Sequence, residues 1–274
     1  MIAFQPSFVA PANGFLAALS SQEFKRLVPH LEETRFTRGH VLFSPGQTVE
    51  HAYFLDDGLV SLSLPQHGAA VGLAMAGHET VIGSNNIVNN KPAQQQATVQ
   101  VEGTGWTVPS FVFKREFARG GRLQELVVEE LLSQHQHVTQ QALCYASHTP
   151  QERLGSRLLE IRERIGGGIP EISSEFLHQL AGGDGAMQNA IEELERAGAI
   201  RLHNGYWQLG DDGQIEDCAC TCYANTLLRQ ARFSMMQNRY EHARIAFEDA
   251  QTRFSSRPRA CKNRKARKRS QLSA

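Results

Sequence analysis

Cys218, Cys220 and Cys222 are the densest group of chemically capable side chains in the chain. Thiolates bind soft metals or exchange as disulfides, so a metal site and a thiol redox switch are the two chemistries to weigh. Alternate positions share a face only in a strand; in a helix Cys218 and Cys222 fall together while Cys220 points away. Zinc sites prefer two or more residues between cysteine ligands. The segment alone therefore predicts no metal, and Cys144 reads as a core or helix-seam residue. His135 and His137 lie two apart on a helical stretch and do not share a face. His40, His51, His67 and His78 lack the compact His-x-His with a following Glu of a jelly-roll metalloenzyme. Ser110 and the scattered acids form no triad or carboxylate pair, so neither an enzyme nor a cofactor is expected.

Gln188 and Asn189 offer a different chemistry, because both side-chain amides can pair bidentately with adenine in a major groove. Ser173 and Ser174 can cap a helix with Glu175 in its first turn and Phe176, Leu177 and Leu180 on its apolar face. Gly182 and Gly183 break it. Asp184 can cap the next helix, where Met187, Ile191 and Leu194 recur at helical spacing and Gly198 closes the end. Ala199–His203 and Tyr206–Leu209 then flank Asn204-Gly205, a dipeptide suited to a type I′ hairpin. This is the pattern of a helix-turn-helix followed by a wing, whose second helix enters DNA with its N-terminal residues at the base edges. Here those residues are Gly183, Asp184, Gly185 and Ala186, with no arginine, and the Asp184 carboxylate would repel phosphates. Arg196 and Arg201 are the candidate contacts to the DNA backbone.

The formal net charge of zero conceals a marked asymmetry. Residues 252–274 hold nine Lys/Arg and no acid, leaving 19 basic against 28 acidic groups in the remainder, a net of −9. Residues 150–216 contain six arginines, no lysine and twelve acids, a weak electrostatic footprint for approaching phosphates. The tail run Arg264, Lys265, Arg267, Lys268 and Arg269 can supply a flexible, nonspecific phosphate contact instead. The N-terminal residues do not resemble a signal peptide and no apolar stretch is long enough to span a bilayer. A cytoplasmic protein with reduced thiols and no membrane partner is expected.

Residues 13–29 predict one short amphipathic helix. From about 31 to 109 the segments are short, β-rich and punctuated by turns, as in a sandwich or jelly roll. Residues 122–147 predict one long helix, in which Val127, Leu131, Val138 and Tyr145 suit a coiled-coil-like dimer seam interrupted by Gln134 and Gln141. Thr149–Ile165 predicts another helix, ending at the Gly166-Gly167-Gly168 linker. The fold class is therefore α+β. The expected units are a jelly-roll sensor (12–120), a dimerisation helix (121–148), a winged helix-turn-helix (149–223), a helical extension (224–254) and a disordered basic tail (255–274).

That order resembles the Crp/Fnr family of bacterial transcription regulators. The resemblance spans about 13 to 223 and rests on Phe43-Ser44-Pro45-Gly46-Gln47, Tyr53-Phe54-Leu55-Asp56-Asp57-Gly58, Val71-Gly72-Leu73-Ala74 and Gly77-His78-Glu79-Thr80-Val81-Ile82-Gly83. Gln151-Glu152-Arg153-Leu154, Glu175-Phe176-Leu177 and Cys218-Ala219-Cys220-Thr221-Cys222-Tyr223 follow in the same order. The resemblance implies a cyclic-nucleotide-binding-like sensor, a homodimer through the long helix, promoter binding, and double-stranded DNA and RNA polymerase as partners. Relatives that bind cyclic nucleotides hold the ribose with a Glu and the phosphate with an Arg; Ser84 and Gln95 fall near those positions. A cyclic nucleotide is accordingly not expected, and the effector stays unknown. Relatives in this branch often carry an Arg pair where Gly183-Asp184 stands. Two readings remain: a sequence-reading regulator, or a regulator-derived interaction protein without sequence-specific DNA binding.

Overall fold

The computed structural model describes residues 11–66, 69–165, 170–181 and 186–224. The chain opens with two short helices, α1 (Gly14–Ala17) and α2 (Ser21–Leu27). The single helix expected over 13–29 is split because Ser20 caps the second piece. Its hydroxyl accepts from the Glu23 N–H at 3.3 Å, while the Glu23 carboxylate reaches back to the Ser20 N–H at 3.1 Å.

Seven strands follow, broken by a helix: β1 (Glu32–Phe36), β2 (Val41–Phe43), β3 (His51–Leu55), β4 (Leu59–Gln66), β5 (Ala69–Ala76), α3 (Ser84–Asn89), β6 (Gln96–Val101) and β7 (Gly103–Pro109). They form two antiparallel sheets, ordered β1-β7-β3 and β2-β6-β4-β5. Residues alternate along β6, with Ala97, Val99 and Val101 buried, as a strand with one covered face requires. Phe15, Phe54 and Phe113 pack with ring centroids 5.9–6.4 Å apart inside this unit. Gly105 is a steric necessity: a Cβ there would lie 2.1 Å from the Phe54 carbonyl oxygen on the paired strand.

Helix α4 (Ser110–Ala118) leads into α5 (Arg122–Ser147), whose bounds match the sequence expectation. The face of α5 differs. Val127 is fully buried in the β-unit core and Leu131 is partly buried against it. Val128, Leu132, Val138, Leu143 and Tyr145 are exposed instead. Counting sevens from Leu131 selects the wrong stripe in the first half, because the β-unit claims that face before a second copy could.

Helix α6 (Pro150–Ile165) precedes a compact three-stranded element: β8 (Glu171–Ser173), α7 (Ser174–Ala181), α8 (Ala186–Ala197), β9 (Ile200–His203) and β10 (Tyr206–Leu209), with strand order β8-β10-β9. Asn204 and Gly205 both have positive φ, 50° and 83°, as a type I′ turn demands. Strand β8 is an addition to the expected two-stranded wing. Ser173 alone is the N-cap of α7, its hydroxyl accepting from the Phe176 N–H at 3.1 Å, while Ser174 receives the Trp207 indole N–H at 3.0 Å. Ser173→Ala should therefore lower stability by about 1 kcal/mol in denaturant titration, with Ser173→Asp close to wild type. Gly198, at φ 79°, ends α8 as expected.

Helix α9 (Asp212–Glu216) follows β10. A turn follows and helix resumes at 222–224; the rest of the 224–254 extension and the basic tail lie outside the described residues, as do His67, the Gly166–Gly168 linker and Gly182–Gly185.

The second core joins the two halves. Leu59, Met75 and Val101 of the four-stranded sheet cluster with Leu154, Leu158, Ile172, Phe176, Leu194 and Trp207. Arg38 also stacks over the Tyr206 ring of the wing, 4.4 Å from its centroid. The winged unit is thus docked on the outer face of the β-unit. No helix among the described residues is long and apolar enough to cross a membrane.

Candidate functional site

Between the four-stranded sheet, α3 and α5 lies a cavity of about 340 Å³. Its wall includes Leu62, Met75, Ile82, Ser84, Gln95 and Val138. Its charged groups come from three elements: Glu79 from the turn after β5, Glu130 from α5 and Arg164 from the end of α6. Arg164 forms an ion pair with Glu79, and the Thr80 hydroxyl donates to Glu130, which also accepts from Gln134 at 3.1 Å. Burial, then the Glu79 charge, pushes the Glu130 carboxyl up to about 8, so it is mostly protonated at neutral pH. Burial works against the Arg164 charge, yet Glu79, Glu160 and Glu163 around it raise its pKa above the ordinary value.

A cyclic phosphate removed from water needs paired cationic or N–H donors. Arg164 is the only guanidinium or ammonium among the described lining residues, and Glu79 already holds it. Ser84 and Gln95 do line the cavity, but neither carries charge. These side chains do not fit a cyclic nucleotide.

Arg164 also bridges the two halves through its backbone. Its carbonyl oxygen faces the His78 ring Nδ1 at 2.8 Å and accepts from the His78 N–H at 3.4 Å. Sequence reasoning missed both Arg164 and Glu130, since nothing local marks an α6 arginine as part of a β-unit cavity.

The candidate base-reading residues lie at the other end of the molecule. Gln188 and Asn189 are exposed on α8, where the Gln188 amide reaches Glu192 at 3.4 Å. Arg196 in the last turn of α8 and Arg201 on β9 are exposed too. Glu192, Glu193 and Glu195 share the exposed surface of the same helix. Ile191 and Leu194 point inward, so α8 presents the two amides, the three glutamates and Arg196. The Gly183-Asp184-Gly185 tip and Arg264, Lys265, Arg267, Lys268 and Arg269 lie outside the described residues.

The cysteines converge in a way their spacing did not suggest. Cys218 is buried in the second core, whereas Cys220 and Cys222 meet Cys144 and His148 at the elbow between α5 and α6. The helical pairing of Cys218 with Cys222 fails because α9 stops at Glu216 and the chain turns. Gly155 of α6 lets that turn approach: a Cβ there would lie 2.9 Å from the Cys218 carbonyl. The hydrogen bond from Cys144, aided by Ser156, lowers the Cys220 pKa against its burial; the same contact raises that of Cys144. The missed signal was Cys144-x-x-x-His148, a pair four apart at a helix end.

Comparison with known proteins agrees with this architecture. Residues 33–119 match the family described as cyclic nucleotide-binding domain. No curated protein matches the chain. Among solved structures, a Crp/Fnr-family transcriptional regulator from Eubacterium rectale superposes with a TM-score of 0.58 at 14% identity, over 72% of this chain and 94% of that one. FixK2 from Bradyrhizobium japonicum gives 0.56 at 15% identity, over 69% and 98%. The c-di-GMP-responsive global regulator CLP of Xanthomonas campestris gives 0.56 at 14%, over 70% and 100%. Residues 33–119 thus match the cyclic nucleotide-binding domain family, within a chain that shares the fold of these Crp/Fnr-type structures.

Proposed function

We propose that the protein is a homodimeric, DNA-binding transcription regulator whose β-unit senses an effector other than a cyclic nucleotide. One contact carries the reading. Arg164, at the end of the helix that leads into the winged unit, is part of the cavity wall and is paired there with Glu79. An effector that competes for either partner changes the balance between docked and released winged units, which is the differential interaction a two-state switch requires. The exposed α5 residues Val128, Leu132, Val138, Leu143 and Tyr145 are the surface on which a second copy would pack. Gln188 and Asn189 would read adenine, with Arg196, Arg201 and the basic tail on the phosphates.

A second reading has its own support. Glu192, Glu193 and Glu195 give α8 an acidic face, which repels DNA and suits a regulator-derived interaction protein. Selection of bound sequences from a random DNA pool separates the two, using the full-length protein and a version truncated after Arg253. A palindrome enriched by both, with binding weakened about 10- to 100-fold in Gln188→Ala/Asn189→Ala, supports the regulator. Salt-sensitive binding without enrichment, lost with the tail, supports the interaction protein.

A further inference from the structure

We propose that Cys144, His148, Cys220 and Cys222 form a structural zinc site that clasps the α5–α6 elbow to the segment following α9. The four ligand atoms all lie within 4.8 Å of one another. The Cys144 and Cys220 sulfurs are 3.5 Å apart, and the Cys222 sulfur is 3.9 Å from His148 Nδ1. A tetrahedral zinc with Zn–S bonds of about 2.3 Å and slightly shorter Zn–N bonds spaces its ligands about 3.5–3.8 Å apart. A polynuclear iron–sulfur cluster would hold its thiolates farther apart than these four atoms are.

The surroundings suit bound thiolates. The Gln140 amide donates to the Cys222 sulfur at 3.1 Å, and the Ser156 hydroxyl lies 3.0 Å from the Cys220 sulfur. Such contacts orient ligands and offset their charge. Arg153 and Arg157 line the small cavity beside Cys144 and Cys222, together with Glu160, which pairs with Arg157 at 2.7 Å. Cys220 and Cys222 are buried and Cys144 half-buried, so the donors are largely shielded from water.

The site joins distant parts of the chain. Cys144 is in the last turn of α5, and His148 is its extended C-cap residue, at φ −125° and ψ 153°. Cys220 lies 76 residues beyond Cys144, and Cys222 lies 74 beyond His148. Four protein ligands leave no open position for substrate or water, so the role is structural: the ion sets the angle at which the winged unit leaves α5. Binding displaces the thiol protons to solvent, so affinity rises with pH. The proposal does not depend on whether α8 reads DNA.

The test uses full-length protein purified from zinc-supplemented cells under reducing conditions. The expected result is one zinc per chain by elemental analysis. Replacement by Co2+ should give the intense visible bands of a tetrahedral, thiolate-rich site. The metal should protect Cys144 and Cys220 from alkylation until a chelator removes it. His148→Ala and Cys144→Ala should lose these properties, and Cys218→Ser should keep them. Gln140→Ala, which removes only a partner of Cys222, should weaken zinc binding about 10- to 100-fold in a folded protein. The proposal is overturned by protein without zinc whose cysteines alkylate equally fast with and without chelator, or by Co2+ spectra unchanged in His148→Ala and Cys144→Ala. A Cys144–Cys220 disulfide in the metal-free protein would instead make the pair a redox switch.

Discussion

Glu130→Gln should stabilise the protein by about 4 kcal/mol at pH 9 relative to its effect at pH 4, an order-of-magnitude figure from a carboxyl raised from 4.5 to about 8. The sign follows from proton counting. Below pH 4.5 the group is protonated in both states and contributes no pH dependence. Between 4.5 and about 8 the unfolded chain releases that proton while the folded chain keeps it, so stability falls as pH rises. Above about 8 the carboxylate is charged in both states and the loss is complete. Burial is the main cause, Glu79 adds repulsion, and Gln134, the Val81 backbone and Arg164 pull the other way. Glutamine keeps an acceptor for Thr80 and has no proton to lose, so its stability lacks this slope. Denaturant titration of both proteins from pH 4 to 9 checks it, and two parallel curves would sink the assignment. Because Glu130 lines the cavity, the same proton links effector binding to pH: an anionic effector should bind more weakly above pH 8, a cationic one more tightly.

Gly77→Ala is expected to break the docking of the winged unit. A Cβ at 77 would lie 2.2 Å from the Arg164 carbonyl oxygen and 2.9 Å from the Arg164 Cβ. The obstacle is backbone at the end of α6, so a side-chain rotation cannot relieve it. Either the main chains part or the His78–Arg164 contacts and the apolar layer of Leu59, Met75 and Val101 are lost with them. A cost of about 3 kcal/mol is reasonable for overpacking that cannot relax. Thermal unfolding should show the loss, and small-angle scattering should show an expanded particle. Gly213→Ala is the control, since nothing lies within 4 Å of its added Cβ. A Gly77→Ala protein with wild-type stability and dimensions would mean that α6 is not seated on the β-unit as described.

The contrast between what was legible and what was not follows the range of the interactions. The α5 bounds came from an unbroken helical stretch, and the I′ wing came from Asn204-Gly205, whose backbone preference acts over two residues. The alternation in β6 and the cap at Ser173 are equally local, which is why the α+β class and the element order followed from the chain alone. Ser20 shows the limit of that reading. An apolar spacing continued through it, but a capping box is stronger than a weak stripe and the helix broke.

What the tertiary structure decided involves residues far apart in sequence. Of the four expected α5 seam residues, Val127 is buried and Leu131 partly buried against the β-unit, while Val138 and Tyr145 stay exposed; periodicity tells which residues share a face but not what covers it. Arg164 and Glu79, 85 residues apart, meet at a cavity that neither announces. Cys144 by itself reads as a core or seam residue, and its site with His148 exists only because the turn after α9 brings Cys220 and Cys222 against them. A linear spacing rule can find ligands contributed by one segment; it is blind to a site shared by two. The sequence by itself determined most of the elements, their order and the family they resemble. Packing decided the cavity charges, the uncovered face of α5 and the thiol cluster, because each depends on which elements meet, and that is settled by burial of the whole chain's apolar surface.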